Sequence, residues 1–173
     1  THPYEATGRV HATLYVSSDR PDTDFTVKLS DVYPDGRSML ICDGILRMRD
    51  RNGSDHWEFM EPGKIYCVDV DLMSTSYIWD TGHAIRVAVS SSNSPRFLAN
   101  PNTVDGIARN TTSEVANNTL FVDAAHPSCL VLPWIPGNGT APAAVHLQPA
   151  LRPSVLTQLR SLGWASFLPR DGL

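Results

Sequence analysis

Val10-His11-Ala12-Thr13-Leu14-Tyr15-Val16 decides how this chain folds. Its aliphatic residues alternate with residues carrying polar groups, the two-residue period of a strand with one face in a core. An amphipathic helix would space its apolar residues three and four apart. Outward from that stretch the same period returns in Phe25, Val27 and Leu29, in Tyr66, Val68, Val70 and Leu72, and in Ile85, Val87 and Val89. Met39 to Met48 reads as a further strand region, with a bulge expected at Asp43-Gly44. Leu120 to Val122 and Leu130 to Leu132 supply two short strands.

Turns separate these runs. Pro34-Asp35-Gly36 combines a preset φ with a residue that accepts positive φ. Arg51-Asn52-Gly53-Ser54, Glu61-Pro62-Gly63 and Asp80-Thr81-Gly82-His83 are further turn signals. Ser90 to Ala116 is loop-like, and a loop of that length in a compact domain is usually functional or packed on something. About eight short strands with turns roughly every 8–12 residues predict an all-β sandwich. The eight-stranded form is the jelly roll, here of the galactose-binding-like kind. We expect residues 1–135 to form that sandwich. Residues 136–173 read as a linker and C-terminal extension with a short helix, capped by Ser154 and carrying Val155, Leu156, Leu159 and Leu162 on its apolar face.

Composition narrows the function. The chain has 173 residues, 42% of them hydrophobic, and a net charge of −4. Acidic and basic residues are interspersed, so neither nucleic acid nor a membrane surface is an expected partner. No apolar run approaches the roughly 20 residues of a membrane-spanning helix. The first residue is Thr1 and no leader pattern follows, so the chain reads as processed or as cut from something longer. Asn52, Asn110, Asn117 and Asn138 each head a glycosylation sequon, which hints at a secreted, glycosylated protein.

Ordered across the chain, several stretches resemble one family. They include Leu14-Tyr-Val-Ser-Ser-Asp19, Asp22-Thr-Asp-Phe-Thr-Val-Lys-Leu29, Asp31-Val-Tyr-Pro-Asp-Gly36 and Gly44-Ile-Leu-Arg-Met-Arg49. Pro62-Gly-Lys-Ile-Tyr66, Gly82-His-Ala-Ile-Arg-Val87, Ser90-Ser-Ser-Asn93, Pro95-Arg-Phe97, Asn100-Pro-Asn-Thr103 and His126-Pro-Ser128 continue the set. Together they resemble the C-terminal domain shared by X-Pro dipeptidyl-peptidases, cocaine esterase and α-amino-acid ester hydrolases. The resemblance implies a jelly roll that follows an α/β-hydrolase domain, with the Ser, Asp and His of the triad in that other domain. It therefore implies a non-catalytic role here, packing on the hydrolase domain and shaping its substrate cleft. Arg96, Phe97, Asn100, Asn102 and His126 are the expected interface residues. Leu98-Ala99 stands where the family often has an acidic-basic pair, and Phe121-Val122-Asp123 where it often has Tyr-His-Asp.

The residues themselves offer no competing chemistry. A serine nucleophile of the hydrolase type needs a Gly-x-Ser-x-Gly elbow, and Ser90-Ser91-Ser92-Asn93 lacks the glycines. His126 with Asp123 has no evident nucleophile to serve. Asp19, Asp22, Asp24 and Asp31 match no calcium-loop spacing. Cys42, Cys67 and Cys129 are too few and too far apart for a zinc site. They read as small buried apolar residues, with one disulfide and one free thiol as the alternative. Hence no catalytic, cofactor-binding or metal-binding residue is assigned, and no cofactor. The expected partner is the hydrolase domain, with a homo-oligomer left open. The rival readings are a stand-alone module holding a glycan or a protein, on Trp57, Trp79, Trp134 and Trp164, and an assembly protein that docks through Leu151 to Leu162.

Overall fold

In the computed structural model the described residues are 3–105 and 112–135, with the backbone of residues 145–146, 158–159 and 165–167. Strands β1 (Tyr4–Ser18), β2 (Asp24–Val32), β3 (Ser38–Arg47), β4 (Tyr66–Trp79) and β5 (Ala84–Ser90) build most of the fold. Shorter strands follow: β6 (Asn118–Phe121), β7 (Cys129–Val131), β8 (Val145–His146), β9 (Gln158–Leu159) and β10 (Ala165–Phe167). They form two antiparallel sheets. One has the order β8-β7-β1-β6-β9 with β4 on the other side of β1, and the other has the order β10-β5-β2-β3. The fold is the expected β-sandwich.

β1 organises the first sheet. Along one edge it pairs with β4 from Tyr4↔Trp79 to Val16↔Tyr66. Along the other it pairs with β7 at His11–Thr13 and with β6 at Tyr15–Ser18. Ser128 fills the gap where β1 changes partner. Its hydroxyl accepts from the Tyr15 N–H at 2.8 Å and donates to the Phe121 carbonyl at 2.6 Å.

The alternation read from the sequence is what fills the core. Val10, Ala12, Leu14 and Val16 meet Phe25, Val27, Leu29, Val68, Val70, Leu72, Val87 and Val89 in one buried cluster. Two irregularities re-aim it. Between Arg9 and His11 the β1–β4 register slips, and Met73 takes φ 69° as the extra residue. Inward positions on β4 change phase there, from Val68, Val70 and Leu72 to Tyr77 and Trp79. The second bulge lies in β3, between the pairs Leu29↔Cys42 and Ser30↔Leu40. It falls at Ile41 rather than at the expected Asp43-Gly44. Gly44 is regularly paired with Val27 and answers a different need. A Cβ built on it would lie 2.0 Å from the Asp71 carbonyl oxygen, so only glycine lets the edges of the two sheets meet there.

Most of the expected C-terminal helix, residues 154–162, lies outside the described residues. The two described residues of that span, Gln158 and Leu159, are extended and pair with β6. No described helix is long and apolar enough to cross a membrane.

Candidate functional site

The strand directions gather the loops after β1, β3 and β5 at one end of the sandwich. Beneath them is a buried charged lattice. Asp22 and Arg49 are 0% and 2% exposed. Asp22 accepts from the Arg49 backbone N–H at 2.9 Å and from Arg49 Nε at 2.7 Å. Asp24 is held bidentately by Arg47, with both contacts at 2.9 Å. The Asn100 amide bridges the two carboxylates, donating to each at 2.7 Å. Two aspartates this close would repel in a dry interior, and the two guanidiniums and the amide make the arrangement tolerable. Burial still pushes the Asp24 carboxyl above its ordinary range, against the pull of Arg47 and Asn100. Asp24 favours the Arg47 guanidinium in turn, raising its pKa.

This lattice fixes the long loop. Arg49 Nη2 donates to the Thr103 and Asp105 carbonyls at 3.2 and 3.1 Å. Its guanidinium lies under the Trp57 ring, 4.7 Å from the centroid. Nearer β5, Asp43 accepts from Asn93 at 3.0 Å and pairs with Arg96 at 2.9 Å. The Phe97 N–H closes a turn onto the Asn93 carbonyl at 3.0 Å. Asn102, at φ 63°, donates to the Glu114 carbonyl, and Glu114 pairs with Arg20.

Of the five expected interface residues, the structure brings four onto this loop. Arg96 is exposed, and stacks on half-buried Phe97. Asn100 is buried and spends its amide on the aspartates; Asn102 braces the loop from within. His126 lies elsewhere, against Tyr15 and Phe121, with Asp123 on Nδ1. Sequence reading singled out the acidic residues but missed Arg47 and Arg49 as their partners. The available signal was two arginines two residues apart, Arg47 at the end of β3 and Arg49 in the helical turn after it, matching two aspartates two residues apart where the chain enters β2.

The opposite end holds a second carboxylate–imidazole pair. Asp31 accepts from His83 Nδ1 and from the Tyr77 hydroxyl, both at 2.8 Å. Burial, reinforced by Asp31, raises the Tyr77 phenol well above its ordinary value. Among the described residues, no serine or cysteine is hydrogen-bonded to the imidazole of His83 or of His126. Ser90 is engaged with Thr26 and with the Ser92 carbonyl. No described group of three or more His, Cys, Asp or Glu is placed to hold a metal ion.

All three cysteines are free thiols. Cys67 is exposed, contrary to the expected burial, because it sits opposite Tyr15 on the outward face of the first sheet. Burial, with Asp43 beside it, pushes the Cys42 thiol up to about 11. Asn52 donates to Glu58 and Asn117 to Asp19; Asn110 and Asn138 lie outside the described residues.

Residues 1–131, which carry β1 to β7, match the X-Pro dipeptidyl-peptidase C-terminal non-catalytic domain. The chain belongs to that family. It is 48% identical over 137 residues to cocaine esterase of Rhodococcus sp. (strain MB1 Bresler), covering 78% of this chain and 24% of the esterase. An aminopeptidase from a marine-sediment Thaumarchaeota archaeon superposes with a TM-score of 0.75 at 26% identity, over 79% of this chain and 24% of that one. An α-amino acid ester hydrolase does so with a TM-score of 0.73 at 25% identity, over 78% and 24%. This family member thus spans about a quarter of the length of the hydrolases it matches.

Proposed function

We propose that this family member serves a serine hydrolase acting on X-Pro peptides, esters or amides. It packs on the α/β-hydrolase domain and helps wall its substrate cleft. Acyl transfer to serine and then to water takes place on that other domain. The observation that carries this reading is the extent of the match. It takes in β1 to β7, in a domain described as non-catalytic, while the chain spans only about a quarter of each relative. Arg96 and Phe97 are the proposed contact residues, with Asn100 and Asn102 as their support.

A glycan-binding module gains no support from the described aromatic residues, and Trp164 lies outside them. Trp79 is buried, and Trp57 and Phe59 lie on a loop rather than in a row across a sheet face. The test is to add this chain alone to a chromogenic ester and to an X-Pro amide. No turnover is expected. Turnover abolished by a serine-directed inhibitor would refute the non-catalytic reading.

A further inference from the structure

Among the described residues, Leu98 is the most exposed large apolar side chain, at 73%. Its exposure is enforced by the loop that carries it. On one side Asn93 and Arg96 are tied to buried Asp43, and the Phe97 N–H is bonded to the Asn93 carbonyl. On the other, Asn100 is locked onto Asp22 and Asp24, and its side-chain oxygen accepts from the Asn102 N–H at 2.9 Å. Only Leu98 and Ala99 lie between these anchors, so the tip is too short to fold its leucine back onto the sandwich. The neighbouring charge is already neutralised, because Arg96 pairs with Asp43 and stacks on Phe97. A surface closing over this tip would bury apolar area without stranding a lone cation. Such a pre-organised apolar knob has little ordering entropy left to lose on docking.

We propose that Leu98 is the anchor by which this chain docks on the α/β-hydrolase domain, in an apolar socket of that domain. The inference rests on the packing reading above. The occupant follows from length: the matched relatives carry about three-quarters of their chain outside the region shared with this one.

The test uses the full-length hydrolase with Leu98→Asp, Leu98→Ala and, as a control on another face, the exposed Met73→Asp. Thermal unfolding and limited proteolysis between the domains are the readouts. Taking the domain–domain equilibrium to depend on one buried leucine, Leu98→Asp weakens it by about 10- to 100-fold. Interdomain cleavage rises and the joint transition splits, with Leu98→Ala intermediate and Met73→Asp silent. Unfolding of the 173-residue chain carrying Leu98→Asp should match the unsubstituted chain, which separates loss of docking from misfolding. If the unsubstituted hydrolase already melts as two independent domains, the packing reading fails. If it melts as one and Leu98→Asp behaves like Met73→Asp, only the knob assignment is overturned.

Discussion

Replacing Arg49 with methionine tests whether the charged lattice is a structural keystone. The substitution keeps the bulk of the stem and removes the guanidinium. Asp22 would keep the backbone N–H of residue 49 and the Asn100 amide. It would lose its only guanidinium while remaining fully buried. Stranding one partner of a buried pair costs about 3–5 kcal/mol. The Thr103 and Asp105 carbonyls lose their donor in the same step. The proper comparison is Arg9→Ala, which breaks a bidentate pair with Asp71 on the wet face of the first sheet. Exposed pairs are worth about 0–1 kcal/mol, because water screens them and two long side chains must be ordered. Against a total stability of roughly 5–15 kcal/mol, Arg49→Met removes a large share and Arg9→Ala almost none. Urea unfolding of both variants measures the difference, and proteolysis within residues 91–105 reports whether the loop has come loose. If Arg49→Met falls within about 1 kcal/mol of Arg9→Ala, the lattice is not what holds this end together.

Three further outcomes are expected. Gly44→Ala drives a methyl into the Asp71 carbonyl, backbone against backbone, and should cost about 3 kcal/mol in the urea midpoint, the upper range for overpacking. Ser128→Ala leaves the Tyr15 N–H without its acceptor at the point where β1 changes partner; a loss of about 1–3 kcal/mol is expected by the same measurement. Tyr77 titrates above an ordinary tyrosine because it is desolvated and bonded to Asp31. Since its folded value is raised, its contribution to stability is intact below the unfolded value of about 10 and is lost as pH climbs beyond it. Phenolate absorbance should show a late-titrating tyrosine in the native protein that disappears in Tyr77→Phe.

Much of the sandwich is legible in the alternation of Val10, Ala12, Leu14 and Val16 and its repeats, because a half-buried strand writes its burial into every second residue. β4 is the instructive exception. Its pattern reads clearly to Leu72 and then fades into Ser74-Thr75-Ser76, although the strand runs on to Trp79. The bulge at Met73 moves the inward positions from even to odd numbers, and a period that changes phase looks like a period that ends. The site was harder to read for another reason. Asp22 and Asp24 are visible as acids, but Arg47 meets Asp24 through the register of β2 on β3, and Arg49 meets Asp22 from the helical turn that follows β3. Asn100 enters the sequence reading as an interface residue, and nothing near it in the sequence marks it as the bridge between two buried aspartates. Its burial depends on where a long loop folds back, which no local pattern records.

The many partners of β1 carry a consequence for how the polypeptide is made. Tyr4–Ser18 leaves the ribosome ahead of all its partners, because β4, β6 and β7 are far downstream of it. At roughly 5–20 residues per second of synthesis, β1 waits several seconds for even the nearest of them. Meanwhile β2 and β3 can zip into their own hairpin. The nascent chain therefore carries an adhesive ribbon of Val10, Leu14 and Val16 through that delay, a window in which a chaperone would have something to hold.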